Sequence, residues 1–196
     1  MKKVKILYDA SLIYRLNEHS SYRSGIFFVA YNVLVELLKK ENLEIKLYCD
    51  LTSKFLLEDI IKTYPEFKNC EIISISKYDK IISHYERLKF ENKLNKGNKL
   101  KRVIIKTILK FLYSLSESEN ISQDKFKEFD AYLSPRDCAP KFIQDIEHIK
   151  KYIILHDIIP LKNKNNRLSK NSWFTNLIES FNEKDTYFAN SEYTKK

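Results

Sequence analysis

Glycine and proline are scarce in this chain of 196 residues, with two and four copies respectively. Long flexible linkers are usually rich in these residues, so their scarcity leaves little room for domains joined by a tether. A chain of this length can bury a full hydrophobic core. Hydrophobic residues make up 43% and charged residues 31%, which is typical of a folded protein and excludes a disordered one.

Cysteine is also rare, and Cys49, Cys70 and Cys138 are far apart. No CxxC pair and no Cys/His cluster has the spacing of a metal site, so we expect no bound metal. An odd number of cysteines excludes a complete set of disulfides. The pattern therefore favours a protein of the reducing cytoplasm.

Long apolar runs are missing as well, since no stretch approaches about 18 uncharged residues, the length that spans a bilayer. Two lysines precede an apolar run at the N-terminus, as they do in a signal peptide. Lys5, Asp9 and Arg15 interrupt that run, and no small-residue cleavage site follows. We therefore interpret the N-terminus as part of the fold and expect a cytoplasmic protein.

The net charge of +9 predicts an anionic partner. Nucleic acid, anionic lipid headgroups and phosphorylated small molecules all remain compatible with it. Much of the excess lies in residues 89–110 and 162–170. The aromatic residues are not interleaved with basic ones in any nucleic-acid motif, and no zinc finger is visible, so the motifs disfavour nucleic acid.

The first third of the chain alternates predicted strands and helices. Strands are predicted over residues 4–8, 43–49 and 70–75. A buried helix begins at Gly25, with apolar residues recurring at three- and four-residue steps, and a second helix, capped by Ser53, ends before Pro65. The periodic residues of the first helix are Ile26, Val29, Val33 and Leu37. This alternation predicts an α/β fold, a Rossmann-like doubly wound and mostly parallel sheet with helices on both faces.

The remainder of the chain extends the same pattern. Two helices are predicted within 76–116 around a break at 95–98, followed by a strand near 131–133. A helix over 140–148, a strand over 152–155 and a helix over 169–181 come next. A last strand is predicted to end at Asn190. Ser191 is the predicted N-cap of a helix, of which the sequence contains about one turn.

Polar residues follow four of the predicted strands. In open α/β sheets, ligands bind outside the carboxyl ends of the strands, so these residues are candidate ligand contacts. Strand ends are commonly polar in any protein, which is the alternative explanation. The candidates are Asp9, Ser11, Ser134, Arg136, His156, Asp157, Asn190 and Ser191.

Gly25 follows Arg23 and Ser24 and precedes a helix, where backbone N–H groups can receive a phosphate. A plain helix start explains the same pattern, because no Gly-rich phosphate-binding motif is present. His156 can donate to a sugar hydroxyl or move a proton, and Asp157 can act as a base or brace a loop. A purely structural histidine at a strand end is the alternative.

The segment 100–115 is predicted to form a basic amphipathic helix, with Arg102, Lys106 and Lys110 on one face. Such a helix can lie on an anionic membrane surface. The alternative is a helix that packs on the core and leaves a solvated lysine edge. The apolar residues predicted on the opposite face are Ile104, Ile108, Phe111, Leu112 and Leu115.

Four segments, taken in order, resemble the N-terminal half of a bacterial GT-B glycosyltransferase, and glycosyltransferase family 4 in particular. "ILYDASLI" is similar to the first strand and its loop, and "RSGIFFVAYNVLVELLK" to the Gly-Ile loop and first helix. "YIILHDIIPL" resembles the HD-x-x-P strand end, and "YFANSEYTK" the closing strand and linker helix. Together they cover residues 6–195.

The resemblance implies that residues 1–190 form the acceptor-side domain and that 191–196 begin the linker to a C-terminal donor domain. It implies that Gly25 lies near the donor diphosphate, and His156, with Asp157 beside it, near the transferred sugar. Such enzymes use a nucleotide-sugar donor, usually without a metal, and retain the configuration of the sugar. A glycan or lipid-linked acceptor, and a location at the inner face of the cytoplasmic membrane, would suit the basic surface.

Two departures limit what the resemblance implies. The donor-binding Glu-x7-Glu signature is absent, so we expect the chain to need a donor domain or a partner chain for activity. Phe28 stands where the family often has Arg or a small polar residue. The alternative function is a non-catalytic module of the same fold that binds a glycan, a lipid carrier or a protein.

Overall fold

The computed structural model describes residues 2–17, 25–94, 98–119, 121–136, 138–156 and 181–189. Its strands are β1 (Val4–Asp9), β2 (Leu43–Tyr48), β3 (Glu71–Ile72), β4 (Ala131–Ser134), β5 (Lys150–Leu155) and β6 (Thr186–Ala189). Its helices are α1 (Gly25–Leu38), α2 (Lys54–Thr63), α3 (Asp79–Leu94), α4 (Lys99–Glu117) and α5 (Lys141–Gln144). Short 3-10 turns cover Ile13–Asn17, Pro65–Phe67 and Gln123–Phe126.

The strands form one parallel sheet in the order β3-β2-β1-β4-β5-β6. β2 and β3 add outward on one side of β1, and β4, β5 and β6 add outward on the other. This is the strand order of a doubly wound Rossmann-like fold, and its switch point lies between β1 and β4. The predicted fold class is confirmed.

Two hydrophobic clusters cover the two faces of the sheet. Successive side chains of a strand point to opposite faces, and in β1 both Leu7 and Tyr8 are 0% exposed. Tyr8 belongs to the cluster formed with α1 and α2, and Leu7 to the one formed with α5. The Tyr8 hydroxyl also donates to the Ala30 carbonyl of α1 at 2.6 Å. Burial on both faces explains the nearly continuous apolar run of β1.

The predicted buried face of α1 is wrong, because each buried residue lies one position after a predicted one. Phe27, Ala30 and Leu34 are buried, while Val33 and Leu37 are only partly buried. Both sets recur at helical spacing, so periodicity alone does not separate them. The buried face is the one that carries Phe27, whose large ring packs in the cluster around Tyr8.

Three further local predictions need correction. β3 has two residues, not the six predicted, because after Ile72 the chain turns toward the start of α3, where Asp79 accepts from the backbone N–H groups of Ile75 and Ser76.

The predicted helix over 140–148 ends at Gln144, and the buried Lys151 ammonium donates to the Ile146 carbonyl beyond it. Ser53 precedes α2, but its hydroxyl donates to the Asp50 carbonyl and makes no cap bond.

α3 and α4 form a hairpin with its own small core. Ile82 of α3 packs with Ile105, Leu109 and Leu112 of α4. The base of α3 is held by a buried ion pair, in which the Lys54 ammonium of α2 lies 2.9 Å from the Asp79 carboxylate. None of the helices in the described part of the chain is both long and apolar enough to cross a bilayer.

Candidate functional site

Two loops meet at the switch point of the sheet, one after β1 and one after β4. Asp9 ends β1 and Ser134 ends β4, and these two strands are direct neighbours. Crevices outside the carboxyl ends of such strands are where α/β sheets bind ligands. Asp9, from the end of β1, and Ser134 and Arg136, from the end of β4, are therefore brought to one edge.

Asp9 is buried, with 2% exposure, and its carboxylate is held from two sides. The backbone N–H of Ser11 donates to Asp9 Oδ1 at 2.9 Å, and the Tyr132 hydroxyl donates to Oδ2 at 3.2 Å. Burial raises the pKa of the Asp9 carboxyl, although the Ser11 hydrogen bonds and the Arg136 charge act in the opposite direction. Such a carboxyl in a ligand-binding edge is a common mark of a functional site.

Arg136 reaches across the switch point to Asp50, which follows β2. Arg136 Nη1 lies 3.0 Å from Asp50 Oδ2, and both side chains are nearly half exposed, at 43% and 47%. The backbone N–H of Asp50 donates to Ser11 Oγ at 3.2 Å, which links this pair to the loop after β1. The charges of Asp9 and Asp50 raise the pKa of the Arg136 guanidinium, against the lowering effect of burial.

Ser134 shapes the second loop from inside. It is fully buried, and its hydroxyl makes bonds to the carbonyls of Arg136 and Cys138 and accepts from the Arg136 N–H at 3.1 Å. Its bonds hold the turn that carries Arg136. Ser134 therefore positions a neighbour, and direct contact with a ligand remains a prediction.

His156 follows β5 and lies against the same loop. Its Nε2 is 2.6 Å from the carbonyl oxygen of Pro135. A carbonyl only accepts, so Nε2 carries the proton in this contact, and a neutral ring then has its lone pair on Nδ1. We call Asp9, Ser11, Asp50, Arg136 and His156 the switch-point cluster.

Gly25 begins α1 and is exposed. A Cβ atom built on it would meet no atom within 4 Å, so packing in the described chain does not require glycine here. The open space beside a helix N-terminus is compatible with the predicted phosphate contact. The other predicted site residues lie outside the described residues: Arg23, Ser24, Asp157, Asn190 and Ser191.

Sequence reasoning missed Asp50 and Tyr132. Asp50 directly follows the strand predicted over 43–49, so the strand-end rule used for the other candidates would have found it. Tyr132 lies inside a strand, and its side chain gives no signal that it reaches the carboxylate of Asp9, which is 123 residues away.

The cluster combines exposed acceptors and donors. The Asp50 carboxylate accepts from hydroxyl groups, and the Arg136 guanidinium donates to oxygen atoms. Within the described ranges, no group of three or more His, Cys, Asp or Glu side chains could hold a metal ion. The arrangement can bind a ligand that carries hydrogen-bond donors and acceptors close together.

A cavity of about 690 Å³ lies at the opposite edge of the sheet. Its lining includes His148 and the lysines Lys2, Lys3, Lys127 and Lys150. Ligand sites of parallel sheets lie at the carboxyl ends of the strands, and this cavity surrounds the amino ends. The switch-point cluster is therefore the better candidate.

The predicted membrane-surface residues lie on α4, outside the switch-point cluster. Lys106 and Lys110 are exposed and line a shallow groove with Glu86 and Tyr113. Arg102 is partly buried, and its Nε has no hydrogen-bond partner among the described residues. The three basic residues thus do not share one environment.

Comparisons with protein-family models, with curated proteins and with solved structures give no match for this chain. The glycosyltransferase resemblance therefore stays a prediction carried by the sequence motifs.

Proposed function

We propose that this chain is the acceptor-binding half of a retaining, nucleotide-sugar-dependent glycosyltransferase of cell-surface polysaccharide or lipid-linked glycan assembly, acting in the cytoplasm. The observation that carries the proposal is the switch-point cluster. In it, residues from the ends of β1, β2, β4 and β5 are linked through Ser11, the Arg136–Asp50 ion pair and the Pro135 carbonyl.

Each described residue has a role in this proposal. Asp50 and Arg136, the exposed ion pair, bind hydroxyl groups of the acceptor. Asp9 and Ser134 are buried and hold the two loops in place. His156 lies beside the transferred sugar and, with Nε2–H on a carbonyl, presents a fixed ring to it. General acid–base or hydrogen-bonding groups of this kind contribute about 10²- to 10⁴-fold to a rate.

The donor side completes the proposal. The nucleotide sugar is held chiefly by a second domain, and the N-terminus of α1 at Gly25 approaches its diphosphate from this chain. Arg23, Ser24 and Asp157 belong to the same proposed site, and Asn190 and Ser191 lead toward the donor domain. No metal or cofactor is assigned to this chain.

The deciding experiment is a transfer assay. The chain is combined with a donor-binding domain encoded after it or beside it, and radiolabelled UDP- and GDP-sugars are offered with lipid-linked and soluble glycan acceptors. Label in a glycan product whose new bond has the anomeric configuration of the donor supports the proposal. If no such domain is encoded, or if acceptors bind and no label is transferred, the chain is a binding module and the catalytic proposal fails.

A further inference from the structure

α4 carries a row of apolar side chains that face solvent. Leu100, Val103, Ile104 and Phe111 are 65%, 60%, 51% and 63% exposed. At 3.6 residues per turn, these positions lie along one side of the helix. Isolated exposed apolar residues are ordinary, but four on one side of a single helix mark an interaction surface.

The row is separate from the face that packs on the protein. Ile105, Leu109 and Leu112 are at most 6% exposed and pack with Ile82 of α3. α4 therefore has two apolar faces, and the small hairpin core covers only one. The exposed residues take no part in the hairpin core.

Lysines border the exposed row. Lys99, Lys106 and Lys110 lie along one side of it and Lys101 along the other, and all four are exposed. α4 has five basic residues over 99–117, and its acidic residue in that range is Glu117, in the last turn. The helix thus presents an apolar strip with a positive edge along one side and a single lysine on the other side of its first turn.

We infer that α4 is the peripheral membrane contact of this protein. Its apolar row enters the boundary between headgroups and acyl chains of an anionic bilayer, and its lysines contact the lipid phosphates. Helices that lie in the membrane interface have this arrangement of an apolar face with cationic flanks. Long lysine side chains place their stems along the apolar layer and their charges in the headgroup region.

Charge complementarity favours a membrane over a second copy of the chain. Two copies that met through α4 would bring their lysine borders together on chains of net charge +9. Cores of protein interfaces are depleted in lysine, whereas an anionic bilayer gains from each one near its surface. The inference does not depend on the proposed function, although a lipid-linked acceptor would lie on the same surface.

The test is co-sedimentation of the chain with vesicles of phosphatidylcholine alone and of phosphatidylcholine with one-quarter phosphatidylglycerol. We expect binding to the anionic vesicles, weak binding to the neutral ones, and loss of binding at high salt. The triple change Lys99→Glu, Lys106→Glu and Lys110→Glu should weaken binding about 100-fold, from about fivefold per lysine removed. The same change at Lys40, Lys62 and Lys68, which are also exposed, is the charge-matched control.

A second test variant, with its own control, examines the apolar row. Val103→Ser with Phe111→Ser should weaken binding at least tenfold. Val4→Ser with Phe28→Ser, at positions 42% and 48% exposed, should leave it unchanged. Because all four positions are exposed, the variants should keep the wild-type circular dichroism spectrum.

A depth measurement separates insertion from general charge attraction. An environment-sensitive fluorophore on Val103→Cys, in a Cys138→Ser background, should shift to the blue on anionic vesicles, and one on Lys62→Cys should not. No binding to anionic vesicles, equal losses in test and control variants, or no spectral shift at position 103 overturns the inference. A concentration-dependent dimer that is lost in the Val103/Phe111 variant would instead assign the row to a second copy.

Discussion

At the scale of single residues, the switch-point cluster separates into buried and exposed members. Asp9 is almost fully enclosed, whereas Asp50 and Arg136 are nearly half exposed. Enclosing a carboxyl costs free energy when it is ionised, and only its hydrogen bonds and a nearby cation offset that cost. A protein that keeps such a group at a sheet edge gives up stability there, which is common at functional sites.

The pH dependence of stability tests this account of Asp9. Its pKa is raised by burial, so the folded chain holds the proton to a higher pH than the unfolded chain does. The free energy of unfolding should therefore fall as the pH rises from about 4, the ordinary carboxyl pKa, through the raised value. In Asp9→Asn this contribution is absent, so the variant should gain stability relative to wild type as the pH rises through that range.

Urea unfolding at several pH values measures that gain. One pKa unit between the folded and unfolded chain corresponds to about 1.4 kcal/mol. Asp145→Asn, at an exposed aspartate, is the charge-matched control. A difference for Asp9→Asn that stays flat or shrinks with rising pH would contradict the account.

Arg136 should matter more for binding than for stability. Its ion pair with Asp50 is exposed to solvent, and exposed pairs contribute about 0–1 kcal/mol. In Arg136→Ala, loss of this pair should therefore lower the free energy of unfolding by less than about 1 kcal/mol, and loss of the charge that favours ionised Asp9 adds to that cost once Asp9 is ionised. Glycan binding, measured by calorimetry or saturation-transfer NMR, should fall at least tenfold. A large stability loss with unchanged binding would make Arg136 a structural residue.

At the scale of elements, α4 shows what a periodic pattern predicts and what it leaves open. The sequence predicts a basic amphipathic helix, and the structure has one over Lys99–Glu117. The predicted apolar face combined Leu112, which is buried, with Ile104 and Phe111, which are exposed. The helix is apolar over so wide an arc that periodicity does not identify the face that docks. Packing against Ile82 of α3 decides it.

Paired alanine variants test this orientation of α4. Leu109 is 3% exposed and belongs to the hairpin core, so Leu109→Ala should cost about 2–5 kcal/mol. Val103 is 60% exposed, so Val103→Ala should change the free energy of unfolding by less than about 0.5 kcal/mol. Chemical unfolding measures both, and equal costs would mean that α4 packs through a different face.

At the scale of the whole molecule, alternating strands and helices predicted a parallel sheet, but not its strand order. The pairing of β4 with β1 joins residues more than a hundred positions apart and is decided by packing on both faces. That pairing creates the switch point. Strand-end polarity therefore predicted Asp9, Arg136 and His156 individually. The links from Ser11 to Asp50 and Arg136, and from Pro135 to His156, depend on the strand order and could not be predicted from local patterns.

The most direct measurement of the central claim compares two histidines in the transfer assay. His156 and His148 each contact a backbone carbonyl through Nε2, at 2.6 Å and 3.2 Å, but they lie at opposite edges of the sheet. If the switch-point cluster is the sugar site, His156→Ala lowers the rate of sugar transfer at least about 100-fold, and His148→Ala leaves it close to wild type. Equal rates for the two variants would contradict the claim.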